Sequence, residues 1–283
     1  VTVAVEIAVQ DAAGARAAVD AGADRVELCQ ALVVGGLTPS IAQVEAVCSA
    51  IGAARVNVLV RPRGGGYVYD ADEVAVVTAD IRALVERGVG GVVVGALDRH
   101  GDADVDALRR WRDAAGAAAF VFHRAIDASP RSAQVFDALL EERVDRVLTS
   151  GGARRTIDGV ERLAAYARLS GSTTQVVAGG GVTPQDIPHL VFAGAGAVHL
   201  SARRRTGTEH PSGPGGGAEG HDVTAPVIVA EAVAAAAAAA RANATGAQDS
   251  APKPLASVCA ENTPLSSRAE RRVLRTNGCV SGG

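Results

Sequence analysis

Apolar and polar positions along the chain follow two alternating rhythms. Short runs rich in valine and other β-formers recur at residues 3–9, 25–29, 56–60, 91–95, 118–123, 146–150, 175–178 and 197–200. The longer stretches between them carry apolar residues at helical spacing. Strand alternating with helix predicts a parallel sheet, since parallel neighbours need a crossover connection. Eight such units in about 200 residues predict one closed (β/α)8 TIM barrel, a fold that routinely takes about 250 residues.

An internal repeat points the same way. Ala-Gly-Ala-Asp-Arg-Val-Glu-Leu-Cys at 21–29 resembles Arg-Val-Asp-Arg-Val-Leu-Thr-Ser at 143–150. Segments 87–95 and 193–201 share the form: a helix end, a turn residue, then an apolar strand. Three of the four have glycine at the junction, where a left-handed C-cap costs least. These units would supply strands two, four, six and eight. After strand eight the pattern changes. Residues 203–222, rich in Gly, Pro and charge, predict a long loop. The alanine-rich segment 225–242 predicts the last barrel helix. Residues 243–283 show no apolar period and predict a disordered tail, so the barrel domain is placed at 1–242.

Composition narrows the function classes. The chain has 283 residues, 48% of them hydrophobic, and a net charge of −3. That balance offers no basic face for nucleic acid or anionic lipid. No apolar run reads as a membrane span and no signal peptide is recognised, so a cytoplasmic location is expected. The sole lysine is Lys253, in the tail. A Schiff base, or a pyridoxal phosphate anchored by lysine, needs an amine in the site, so neither is expected. Cys29, Cys48, Cys259 and Cys279 match neither a zinc pair nor a disulfide framework.

In a TIM barrel the chemistry lies at the C-terminal ends of the strands. Alternation turns Glu6, Glu27 and Cys29 inward if Val26 and Leu28 face the helices. Charges inside a barrel must be paired or serve a ligand. One reading therefore pairs the acids at 6 and 27 with Arg61, Arg63 and Arg124. The other opens a pocket for a small anion. There Arg61, Arg63 and Arg124 clamp the anion, while Gly180, Gly181, Ser201 and Arg203 hold it between the last two strands. Thr183-Pro184 is read as the N-cap and first residue of the next helix. Glu27 and His123 are the candidate catalytic pair, exchanging protons as in an isomerase or lyase.

Several blocks occur together in the order of a known family. They are Gly-Ala-Asp-Arg-Val-Glu-Leu-Cys (22–29), Gly-Gly-Leu-Thr-Pro-Ser (35–40), Val-Arg-Pro-Arg-Gly-Gly (60–65), Phe-His-Arg-Ala-Ile-Asp (122–127), Arg-Val-Leu-Thr-Ser-Gly-Gly (146–152), Gly-Gly-Gly (179–181) and Ser-Ala-Arg (201–203). Over roughly residues 3 to 203 the chain resembles the CutC family. The resemblance implies a cytosolic TIM barrel, a homo-oligomer, and a role in copper homeostasis with copper ion binding. It carries copper only to Cys29. Where the family usually has a strand-one cysteine, this chain has Ala8. Cu(I) prefers two or more soft ligands. Cys48 lies on the second helix, so the remaining routes pair Cys29 with His123 or bridge two subunits.

Overall fold

The computed structural model describes residues 2–208, 213 and 219–246. Eight parallel strands close into a barrel in chain order. They are β1 (Ala4–Val9), β2 (Arg25–Leu28), β3 (Val56–Leu59), β4 (Gly91–Val94), β5 (Ala119–Phe122), β6 (Arg146–Thr149), β7 (Gln175–Gly179) and β8 (Ala197–Leu200). β1 closes the ring by pairing with both β2 and β8, with Glu6 opposite Arg25 on one side and His199 on the other.

The crossovers are α1 (Ala12–Asp20), α2 (Ile41–Ile51), α3 (Ala71–Val85), α4 (Val105–Ala115), the short α5 (Ala125–Ala128), α6 (Ser132–Glu141), α7 (Val160–Ser170) and α8 (Ile187–Phe192). Short polar residues start several of them by accepting otherwise orphaned backbone N–H groups. Asp11, Ser40 and Asp104 cap α1, α2 and α4, and Asp70 forms a reciprocal box with Glu73 at α3.

The strand alternation has the expected consequence. Val26, Leu28, Val56, Val58, Val92, Val94, Phe120 and Phe122 join the large core shared with the helices. Residues of the opposite parity form two small clusters of their own. Cys29, Leu59, Val93 and Val121 make one, and Leu148, Val177 and Ala197 the other. The barrel interior is thus packed rather than open, as layered TIM barrels are.

Three expectations need correction. The segment 203–222 is not all loop: β9 (Arg203–Thr206) pairs antiparallel with β10 (His221–Thr224). The helix after β7 does not start at Thr183-Pro184. Asp186 accepts from the N–H and the hydroxyl of Thr183, which forms a turn, and α8 begins only at Ile187. Finally, α9 (Pro226–Ala244) is long and apolar enough, by length and composition, to cross a membrane. Val229, Ala232, Ala236 and Ala239, spaced three and four apart, are its buried face, and the helix packs on α8, β1 and α1. The predicted disordered tail lies outside the described residues from 247 onward.

Candidate functional site

The barrel interior is organised around Glu6. Its carboxylate accepts from Arg25 Nε at 2.6 Å and Asn57 Nδ2 at 2.7 Å, and lies 2.8 Å from His199 Nδ1. Gly91 makes this possible: a Cβ there would stand 2.5 Å from Asn57 Oδ1. Burial raises the Glu6 pKa, but the His199 hydrogen bond and the Arg25 charge outweigh it and hold the carboxyl well below its usual range. The pairing reading therefore holds for Glu6 with different partners. Arg25 and His199 neutralise it, not Arg61, Arg63 or Arg124.

Above this floor lies a cavity of about 210 Å³ at the C-terminal ends of the strands. Its polar lining includes Glu27, Arg61, His123, Arg124, His199 and Ser201, with Gly180 and Gly181 on one side. Leu32, Leu59, Leu148 and Leu200 supply apolar walls.

Three lining side chains each bring a buried polar atom with no hydrogen-bond partner among the described residues: Glu27 Oε2, His123 Nε2 and Arg61 Nε. Such atoms cost free energy unless water or a ligand completes them. Burial pushes the Glu27 carboxyl up to about 7, with His199 opposing and the Glu6 charge adding to the rise. Burial, with the Arg61 charge, pushes the His123 imidazole down to about 3, so it is neutral at physiological pH. Its tautomer is fixed locally, because Ala125 N–H donates to His123 Nδ1 at 3.1 Å and leaves the proton on Nε2. Gly95 lies close against this ring, where a Cβ would collide with Cε1 and Nδ1.

Arg61 is only partly available. Its Nη1 donates to Val34 O at 3.0 Å and Gly36 O at 3.1 Å, and its Nη2 to Gly65 O at 2.8 Å. The guanidinium lies 5.1 Å from the Tyr67 ring centre, and Tyr67 also packs 5.1 Å from the His123 ring. Arg61 thus fastens two rim loops and leaves Nε without a partner among the described residues. Arg124 is braced by Asp127 Oδ2 at 2.8 Å and Ser150 Oγ at 3.0 Å. Gly180, at φ +128°, lies against its guanidinium.

Sequence reasoning did not place Asp127 in the site. Its buried carboxylate accepts from Thr149 Oγ1, the Ser150 N–H and hydroxyl and the Gly152 N–H. The Thr-Ser-Gly-Gly loop after β6 therefore wraps an anion of the protein's own.

Other predicted residues fall elsewhere. Arg63 is partly exposed, pairs with Glu73 and stacks on Tyr69. Arg203 sits on β9 and pairs with Asp222 at 2.8 Å. Neither lines the cavity, because Arg63 lies past the end of β3 and is held outward by Glu73, while the β9–β10 hairpin carries Arg203 to Asp222. Cys29 is fully buried among Leu59, Val93 and Val121, and its thiol points to Val9 O at 3.8 Å. Burial, with Glu27 nearby, pushes that thiol up and disfavours the thiolate. Arg25, Asn57, Tyr67 and Gly95 could have been found by extending inward parity to every strand and the loop after β3.

Fold and site together define a (β/α)8 barrel whose mouth presents one carboxyl, one neutral histidine and two arginines around a small cavity. Comparison with known proteins makes this specific. A profile described as the CutC family matches residues 3–204, and the chain belongs to that family. A CutC family protein of Xanthomonas campestris pv. campestris (strain B100) is 42% identical over 200 residues, covering 70% of this chain and 82% of the relative. One of Caulobacter vibrioides (strain NA1000 / CB15N) is 37% identical over 215 residues, covering 76% and 82%. A solved structure from Streptococcus agalactiae, named as a candidate copper homeostasis protein CutC, has a TM-score of 0.66 at 27% identity. It covers 70% of this chain and 98% of its own.

That name raises copper as a cargo, and the donors present can be tested against it. Among the described residues, one set of three potential ligand side chains lies within 4.8 Å: Glu6, Glu27 and His199. It offers oxygen and nitrogen only, and Glu6 is already taken up by Arg25 and Asn57. The one thiol in the barrel interior, Cys29, is protonated and surrounded by hydrocarbon. Cu(I), which selects soft thiolate or thioether ligands, does not fit these residues.

Proposed function

We propose that the barrel mouth is the site of an enzyme of isomerase or lyase type, acting on a small anionic metabolite. The observation that carries this reading is that Glu27, His123 and Arg61 line one cavity and that each holds a buried polar atom, Oε2, Nε2 and Nε respectively, with no partner among the described residues. Strongly perturbed groups gathered in a cleft are the physical signature of a candidate functional site. Arg61 Nε, Arg124 and the Gly180–Gly181 turn hold the anion, Ser201 flanks it, and Glu27, whose carboxyl titrates near neutrality, moves the proton. The test is calorimetry of the full chain with inorganic phosphate and malonate as probes. The expected result is binding that is lost in Arg124→Ala and kept in Arg63→Ala. Absence of binding by either probe, or affinity untouched by Arg124→Ala, overturns it.

A second reading takes the role named for the Streptococcus agalactiae relative, copper homeostasis, over to this chain by family membership. Direct ion binding would then fall to Cys29 or to the Glu6, Glu27 and His199 set. A Cu(I) competition titration against a chromophoric chelator tests it. Tight stoichiometric binding that vanishes in Cys29→Ser supports copper binding at the thiol. Weak binding that the substitution leaves unchanged removes it. In both readings the setting is a cytoplasmic homo-oligomer, with neither nucleic acid nor membrane as partner.

A further inference from the structure

The protonation geometry of His123 narrows the substrate class of this same site, and the inference rests on the enzymatic reading above. From the placement of His123 and Arg61 we infer that the substrate is a small carbonyl compound with an acidic C–H beside the carbonyl. His123 holds the enolate oxygen as a neutral donor and is not the partner acid or base of Glu27.

The His123 ring is held in one tautomer. Its Nδ1 accepts the Ala125 N–H, so Nε2 carries the proton and the ring can only donate to a ligand. The ring has little freedom to turn, since Gly95 lies against its Cε1 and Nδ1 and Tyr67 packs 5.1 Å away. Nε2 is buried and has no partner, and the same is true of Arg61 Nε, which lines the same cavity. Arg61 in turn is held by three backbone carbonyls and by Tyr67. Two rigid N–H donors with no acceptor of their own are what a developing oxyanion requires, because they need no reorganisation as charge appears. The remaining unpartnered atom is an acceptor, Glu27 Oε2, carried on β2. Two donors and a single carboxylate on residues lining one cavity suit proton removal from carbon.

The step balances within the site. The Glu27 carboxylate takes the proton from the carbon beside the carbonyl. The C–H electron pair forms a C=C bond, and the C=O π pair moves onto oxygen. His123 Nε2–H and Arg61 Nε–H hold that oxygen, and Glu27 returns the proton to the same carbon as the C=O bond re-forms. No oxidant, reductant or second substrate is needed.

Two measurements on the full chain test this. The first is 15N NMR of the His123 ring. The Nε2–H tautomer, unchanged from about pH 5 to about pH 8, is expected, and protonation on Nδ1 or an imidazolium in that range overturns the inference. The second compares oxalate, a planar dianion resembling the enolate of a 2-oxo acid, with malonate, which is not planar. Oxalate is expected to bind about tenfold or more tightly than malonate, the scale of one hydrogen bond to a charged group. His123→Ala removes that preference, and His123→Gln, which restores an N–H, recovers part of it. If malonate and phosphate bind but oxalate has no advantage, the carbonyl substrate is wrong and the anion site stands. If no anion binds, the enzymatic reading itself falls.

Discussion

Replacing Glu27 by glutamine should make the protein more stable above neutral pH and change little in acid. Burial raises the Glu27 carboxyl from 4.5 to about 7. The folded state therefore binds this proton more tightly than the unfolded state between those values. Unfolding free energy falls as pH rises through the window and is flat above it. At about 1.4 kcal/mol per pH unit, the ionised carboxylate costs on the order of 3 kcal/mol at about pH 8. The amide of the Glu27→Gln variant keeps the shape and has no charge to bury. The assay is urea unfolding of both proteins at about pH 5 and about pH 8. The difference between the two proteins should widen across that range by about 2 to 3 kcal/mol in favour of Glu27→Gln. Parallel pH profiles would refute the reasoning, since Glu27 would then be ionised at no cost and could not act as a proton carrier near neutrality.

Other outcomes follow from the same contacts. Glu6→Ala leaves Arg25 and Asn57 buried without their acceptor and should destabilise the barrel by about 3–5 kcal/mol in urea unfolding. Gly180→Ala puts a Cβ 2.8 Å from Arg124 Cζ at a φ of +128°, so it should lower stability by about 1–3 kcal/mol and abolish phosphate binding measured by calorimetry. Arg63→Ala removes a partly exposed ion pair at the rim and should leave both the melting temperature and phosphate affinity unchanged. Asp127→Ala should weaken phosphate binding without touching the cavity wall, because it frees both Arg124 and the loop after β6.

The strand and helix rhythm was enough to determine the barrel, the positions of all eight strands and the inward direction of Glu6, Glu27 and Cys29. Each of those follows from local periodicity, and a buried face leaves no other register open. His123, Arg61, Arg124 and the Gly180–Gly181 turn were legible as strand-end residues for the same reason. The partners were not. Glu6 meets Arg25, Asn57 and His199 only because barrel closure brings β1 between β2 and β8. Arg63 follows Arg61 by two residues, yet it lies past the end of β3, where period-two alternation no longer applies, and Glu73 draws it outward. Arg203 was placed at the mouth by its distance from β8, but pairing of β9 with β10 turns it to Asp222. Cys29 has the inward parity a metal ligand needs, while its neighbours from β3, β4 and β5 make it hydrocarbon packing. The direction of each side chain is a local property of the backbone and can be read from sequence. Which charges, donors and apolar groups it meets depends on strands far apart in the chain, and only the closed barrel decides that.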